Sequence, residues 1–253
     1  MSDILLQLSG VHTHIGPYHI LQGVDLSVQR GQLTMLLGRN GAGKSTTLRT
    51  IMGLWHASAG SITLDQTSIT HMSTADIAVQ GITYVPENMG IFSDLSVREN
   101  MLLAARSGPI DQQRLDWIFS LFPALQQFWQ KPAGKLSGGQ KQMVAISRAI
   151  IEKRHLYMFD EPSKGLAPVM VNSMISALRE LKKEGASILL VEQNLAVAQA
   201  LGDQVAVMDS GKILHHGSMQ ELTDNPELQQ QLLGLNLDLN LGLNVGSATG
   251  AHA

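Results

Sequence analysis

The sequence predicts an α/β fold with a mostly parallel core sheet and helices on both faces. Two observations carry this expectation. Gly38-Arg39-Asn40-Gly41-Ala42-Gly43-Lys44-Ser45 fits the pattern G-x-x-x-x-G-K-S/T, between an apolar strand over 33–37 and a helix over 45–52. A second, mostly apolar run over 155–159 ends in the adjacent acids Asp160 and Glu161. Ligands of parallel α/β sheets gather at the carboxyl ends of strands, where both motifs stand.

In chain order, residues 4–11 and 19–28 read as paired strands, and 61–65 and 81–85 as further strands. Leu115, Ile118, Phe119 and Phe122 recur at i, i+3, i+4 and i+7, one face of a helix. A helical region over about 87–151 therefore interrupts the strand–helix alternation. The alternation resumes with a strand over 155–160, a helix after Pro168, a strand over 186–191, a helix over 194–201 and short strands over 204–208 and 212–215. Leu233, Leu235, Leu237, Leu239, Leu241 and Leu243 then alternate with Gly, Asn and Asp. Period two is a strand signal, but the intervening residues are poor strand formers. The expectation is a poorly ordered low-complexity tail over 234–253, with an edge strand as the alternative.

Composition narrows the function. The chain has 253 residues, 44% hydrophobic and 15% charged, as expected of a globular protein with a sizeable core. No apolar run approaches the ~20 residues that cross a bilayer, and the first residues lack a signal-peptide pattern. There is no cysteine, hence no disulfide framework and no thiolate chemistry. A net charge of −3 argues against broad nucleic-acid binding, and the default location is cytoplasmic.

The motifs define a chemistry. The glycines of the 38–45 loop let successive backbone N–H groups point at an anion, and the helix N-terminus adds partial positive charge. Lys44 supplies a full charge for the β- and γ-phosphates, and the Ser45 hydroxyl is placed to ligate Mg²⁺. Asp160 is expected to reach that metal and Glu161 the water that attacks the γ-phosphate. Leu136-Ser137-Gly138-Gly139-Gln140 opens a helix whose face carries Met143, Ile146 and Ile150. Ser137 is a good N-cap, and the glycines leave the helix end bare. A second anion site is the alternative there, but from the residues alone this reads as an ordinary capped helix. His12 and His14 share a strand face and read as surface histidines, with no third metal ligand in sequence view. Most of the Phe and Trp residues lie between Phe92 and Trp129. Most of these read as the helical subdomain's own core; Trp117, Phe128 and Trp129 fall outside the helical stripe, with a contact to a membrane partner as the alternative.

In their order, Gly38–Ser45, Leu136–Gln140 and Asp160-Glu161-Pro162-Ser163 resemble the ATP-binding cassette (ABC) ATPases, over about residues 4–233. The resemblance implies a phosphate-loop NTPase with a mostly parallel core sheet, an N-terminal antiparallel β-subdomain and an inserted helical subdomain, in one domain over 1–233. It implies ATP and Mg²⁺ as ligands. ATP would sit on Gly38, Arg39, Asn40, Gly41, Ala42, Gly43, Lys44, Ser45 and Thr46. Two cassettes would pack head to tail, with Ser137, Gly138, Gly139 and Gln140 reaching the γ-phosphate held by the partner. Asp160, Ser45 and Glu87 would hold the metal, Glu87 standing where the family usually has glutamine. Glu161 and Gln193 would be catalytic, Gln193 replacing the family's usual histidine. Ser163-Lys164-Gly165-Leu166-Ala167 matches the loop that signals between the two sites. By alignment Ile15 falls where an aromatic residue usually stacks on adenine, and Tyr18 is the substitute.

The segments Pro86-Glu87, Gly165-Leu166-Ala167-Pro168 and Glu192-Gln193-Asn194 are similar to the ATP-binding subunits of branched-chain amino acid importers and related systems. That implies ATP hydrolysis coupled to transport, on the cytoplasmic face of the membrane. It also implies a like or unlike second cassette, separate permease chains, and a solute-binding protein acting indirectly, with no nucleic acid. The alternative is a soluble single-cassette ATPase of cofactor assembly or nucleic-acid maintenance.

Overall fold

The computed structural model describes residues 3–106 and 108–234. Strands β1 (Ile4–Ile15) and β2 (Tyr18–Gln29) form a long antiparallel pair, followed by β3 (Leu33–Leu37) and helix α1 (Lys44–Ile51). Next come β4 (Ala57–Leu64), β5 (Thr67–Ser68), α2 (Thr74–Val79) and β6 (Ile82–Val85). Helices α3 (Val97–Ala104), α4 (Gln112–Leu121), α5 (Ala124–Gln127) and α6 (Gly138–Ile150) separate β6 from β7 (Leu156–Asp160). The chain continues through α7 (Pro168–Lys183), β8 (Ser187–Glu192), α8 (Leu195–Leu201), β9 (Gln204–Asp209) and β10 (Lys212–Ser218). It then enters α9 (Met219–Asp224) and α10 (Pro226–Leu233).

The strands form two sheets, a four-stranded antiparallel one in the order β2-β1-β4-β5 and a six-stranded one in the order β10-β9-β3-β8-β7-β6. In the second sheet every pairing is parallel except β9 with β10. Its central strands are covered on both faces, which is why they read as continuous apolar runs. Tyr157 and Phe159 of β7 join the helical side, and Leu156 and Met158 join the core shared with the antiparallel sheet. The register sets Leu37 level with Glu192, and Asp160 level with Val191. The carboxyl ends of β3, β7 and β8 thus open on one edge.

Several features differ from the sequence reading, among them the unexpected β5 and α2. Strands β1 and β4 run longer than expected, because Gly10 and Gly60 let the two backbones approach. A Cβ on Gly60 would stand 2.2 Å from the Gly10 carbonyl oxygen. Helices α9 and α10 were missed, although Ser218 and Asn225 cap them and Pro226 opens the second. Leu233, assigned to the alternating run, is instead the last residue of α10, and residues 235–253 lie outside the described residues. The three aromatics outside the stripe pack against the helical core, Phe128 within it and Trp117 and Trp129 partly buried on it. Phe128 is buried, Trp129 meets Phe119 edge-on at 5.1 Å, and Trp117 lies under the Arg114 guanidinium at 3.9 Å.

Candidate nucleotide site

The phosphate loop leaves β3 by a turn only glycine allows. Gly38 has φ 153°, and a Cβ there would stand 2.2 Å from the Met208 carbonyl oxygen. Helix α1 then begins with no side-chain cap and no acidic residue in its first turn. Its first N–H groups are left for an anion, and its dipole favours one. Lys44 is buried and donates to the carbonyl oxygens of Gly38 at 2.9 Å and Arg39 at 3.0 Å. A cavity of about 320 Å³ beside this loop is lined by Ile20, Asn40, Gly41, Gly43, Lys44, Ser45, Thr46, Glu87, Glu161 and Lys164.

Of the two acids at the end of β7, Glu161 lines this cavity and Asp160 stands at its edge through Ser45. Ser45 Oγ donates to Asp160 Oδ1 at 2.9 Å, and Tyr84 Oη donates to Asp160 Oδ2 at 3.1 Å. Burial pushes the Asp160 carboxyl above the usual range, and the hydrogen bonds from Ser45 and Tyr84 pull it back. The Tyr84 phenol is pushed up by burial and by the Asp160 charge beside it. Glu161 holds a left-handed backbone with φ 49°, a conformation that costs a non-glycine residue about 1 kcal/mol or more. Its Oε1 lies 3.4 Å from Lys44 Nζ and accepts from Gln193 Nε2 at 2.6 Å. The same Gln193 nitrogen donates to Asn40 Oδ1 at 2.7 Å. Gln193 therefore ties the acid at the end of β7 to the phosphate loop.

Glu87 lies across the cavity, and its Oε1 accepts from Lys164 Nζ at 2.6 Å. The same ammonium is 3.6 Å from Glu161 Oε2. Sequence reasoning gave no individual role to Lys164, Tyr84 or Glu192. Glu192 is buried, accepting from the Ser163 N–H at 2.9 Å and from Ser163 Oγ at 2.7 Å. It clamps the loop that follows Glu161, and burial raises its carboxyl pKa. An acid closing an otherwise apolar strand was the signal for Glu192. Tyr84 and Lys164 carried none, because only the fold brings them to β7 and Glu87.

The remaining expected residues lie elsewhere. The end of α6 is capped by Ser137, as the residues alone suggest. Ser137 Oγ accepts from the Gln140 N–H at 3.3 Å, and Gln140 Oε1 accepts from the Ser137 N–H at 2.9 Å, a complete capping box. Ser137 and Gly138 remain exposed. Tyr18 sits at the β1–β2 turn, 69% exposed and outside the cavity lining, whereas Ile20 lines it. His19 joins His12 and His14, with its ring stacked on His14 at 4.2 Å and hydrogen-bonded to His12 at 2.9 Å. Among the described residues no three or more His, Asp or Glu side chains are arranged to hold a metal.

The fold and the loop are matched by known proteins. The sequence pattern of the ABC transporter family covers residues 21–164. The high-affinity branched-chain amino acid transport ATP-binding protein BraG of Pseudomonas aeruginosa is 36% identical over 232 residues, 91% of this chain and all of that protein. The glutamine transport ATP-binding protein GlnQ of Bacillus subtilis is 29% identical over 92% of this chain and 98% of its own length. The ADP conformation of MJ1267, an ATP-binding cassette of an ABC transporter, superposes with a TM-score of 0.75 at 25% identity, covering 92% of this chain and 100% of that one. The chain belongs to the ABC transporter family. It is an ATP-binding cassette, with the fold of the family's ATP-hydrolysing subunit. Among the described residues no helix is long and apolar enough to cross a membrane.

Proposed function

We propose that this chain hydrolyses ATP to drive an importer for branched-chain or related amino acids. It would work on the cytoplasmic face of the membrane, beside a second cassette and separate permease chains. The observation that carries the ATPase reading is the single cavity shared by Lys44, Ser45, Glu87 and Glu161, with Asp160 hydrogen-bonded to Ser45 at its edge. Glu161 accepts a proton from the attacking water, and Gln193 aims its carboxylate. Lys44 leaves its two carbonyl partners for the β- and γ-phosphates. Tyr18, exposed on the β1–β2 hairpin outside the cavity lining, would be the aromatic residue that reaches the base, with Ile20 lining the cavity beneath.

The donors suit Mg²⁺. Ser45 Oγ and Asp160 Oδ1 already stand 2.9 Å apart, and Glu87 offers a further oxygen from across the cavity. A hard cation held by one or two carboxylates plus substrate phosphates needs no larger cage. When bound, the metal would neutralise charge on the β- and γ-phosphates. The exposed Ser137 and Gly138 would meet the nucleotide of the second cassette. One domain over 1–233 holds all these parts, with the helices between β6 and β7 forming the permease-facing subdomain.

Two observations support the membrane partner. A groove of about 350 Å³ lined by Leu54, Pro86, Met89, Leu103 and Arg148 opens beside Glu87. Leu54, Phe92 and Leu103 around it are about half exposed. Such a patch fits a partner surface. The similarity to BraG supports branched-chain amino acids as the solute class. The test is uptake of labelled leucine by cells lacking the chain. Restoration by the wild type but not by Lys44→Ala supports the reading. Unchanged uptake in the deleted cells, with a nucleic-acid or cofactor-assembly defect instead, would favour the soluble alternative.

A further inference from the structure

Most of the polar side chains lining the cavity have a role in binding or hydrolysing ATP, but Lys164 does not. Its side chain is 56% exposed, yet its ammonium donates to Glu87 at 2.6 Å and lies 3.6 Å from Glu161 Oε2. The backbone beneath it is fixed. The Lys164 N–H donates to the Glu161 carbonyl at 3.1 Å, and the neighbouring Ser163 is held at two points by buried Glu192. Lys164 is thus a partly exposed side chain on a fixed backbone, with its ammonium set between the two carboxylates.

The charges around the cavity explain why a cation belongs there. Glu87 and Glu161 line one cavity, with Asp160 at its edge through Ser45, and carboxylates that share a site repel. Lys44 approaches only Glu161 Oε1, while its other partners are the loop carbonyls. Glu161 Oε2 and Glu87 are served by Lys164 alone among the cations in the lining. A divalent cation seated on Glu87 cannot share it with an ammonium, because the two positive charges would stand only a few ångströms apart.

We propose that Lys164 is a resident counter-ion that competes with Mg²⁺ for Glu87. In the empty site the ammonium holds Glu87 and Glu161 in place. Metal arriving with ATP displaces it, freeing Glu87 as a ligand and releasing one constraint on Glu161. Lys164 is therefore a positioning residue that sets how tightly the site takes its metal. This rests on the reading of Glu87 as a metal ligand.

The test uses Mn²⁺ as the probe, titrated into the purified full chain holding a non-hydrolysable ATP analogue, with free Mn²⁺ read from its paramagnetic resonance signal. Removing the competitor in Lys164→Met should tighten Mn²⁺ binding by about fivefold, the scale of a partly exposed ion pair. Lys164→Arg, which keeps the charge, should bind Mn²⁺ as the wild type does. On a Glu87→Gln background the gain from Lys164→Met should vanish, since the contested carboxylate is gone. Unchanged or weaker Mn²⁺ binding in Lys164→Met, with analogue binding intact, overturns the competition alone. Failure of the wild type to bind the analogue either in chelator or with saturating Mn²⁺ overturns the nucleotide-site reading itself, and the inference with it.

Discussion

Gln193 donates to Glu161 Oε1 at 2.6 Å, and through its second contact with Asn40 it links the carboxylate to the phosphate loop. A glutamine cannot become cationic as histidine does, so its contribution here is aim rather than charge. Gln193→Ala should lower kcat by about a hundredfold, the lower end of general-base effects, while ATP affinity changes less than about threefold. Steady-state turnover and equilibrium nucleotide binding read the two separately. Gln193→His restores a donor, and a large gain in rate over wild type would show that charge, not aim, was limiting. If the second cassette carries the histidine, the site built on Lys44 should turn over more slowly than the one served by Ser137. Equal rates after disabling each in turn would refute that asymmetry.

Lys44→Ala should act on binding rather than on chemistry. A charge-assisted hydrogen bond to phosphate contributes about 1.5–3 kcal/mol, so ATP affinity should fall by about tenfold or more. Isothermal titration with ATP provides the measurement.

Ser137→Ala removes one half of the capping box. Helix stability should fall by about 1 kcal/mol, seen as a modest drop in Tm. ATP-driven association of cassettes should fall far more if, as proposed, the same hydroxyl faces the partner's nucleotide. Light scattering with and without ATP distinguishes a helix cap from a contact in trans.

Burial raises the Glu192 carboxyl pKa, so folding favours its protonated form. The sign follows from linkage: stability carried by this group is greatest below its unfolded pKa and declines as pH rises through its folded one. Glu192→Gln keeps an acceptor for the Ser163 N–H without the buried charge. We expect the variant to lose less stability than the wild type as pH rises above the ordinary carboxylate range, followed by thermal unfolding. Identical slopes would mean that the carboxylate is not penalised where it lies.

A chain ending at Gly234 should keep its ATPase activity. Leu233 survives in it, and this residue lines a cavity of about 160 Å³ with Leu37, Gly38, Arg39, Glu192, Gln193 and Leu195. Leu233→Asp in the full chain should impair turnover by disturbing that floor of the phosphate loop. A loss beyond tenfold on truncation alone would favour a pairing role for the alternating leucines.

The parts of the site that lie within one run of sequence were legible. The 38–45 loop and the Asp160-Glu161 pair announce themselves because residue type and strand context coincide. Strands β3, β7 and β8 were readable because burial on both faces leaves continuous apolar runs. Partnerships across the sheet were not legible. Tyr84 reaches Asp160 only because β6 lies beside β7, and Lys164 meets Glu87 from 77 positions away. Helix α10 was hidden by the leucine alternation that begins at its last residue.

Turnover of Glu161→Gln tests the central claim most directly. The carboxylate lies at the end of an apolar strand with Lys44 and Gln193 on one oxygen. The amide keeps its shape but accepts no proton. With any other cassette's site disabled, the variant should bind ATP as tightly as the wild type and hydrolyse it at least about a hundredfold more slowly. Turnover within threefold of wild type would contradict the assignment of Glu161 as the base, and with it the mechanism built on this cavity.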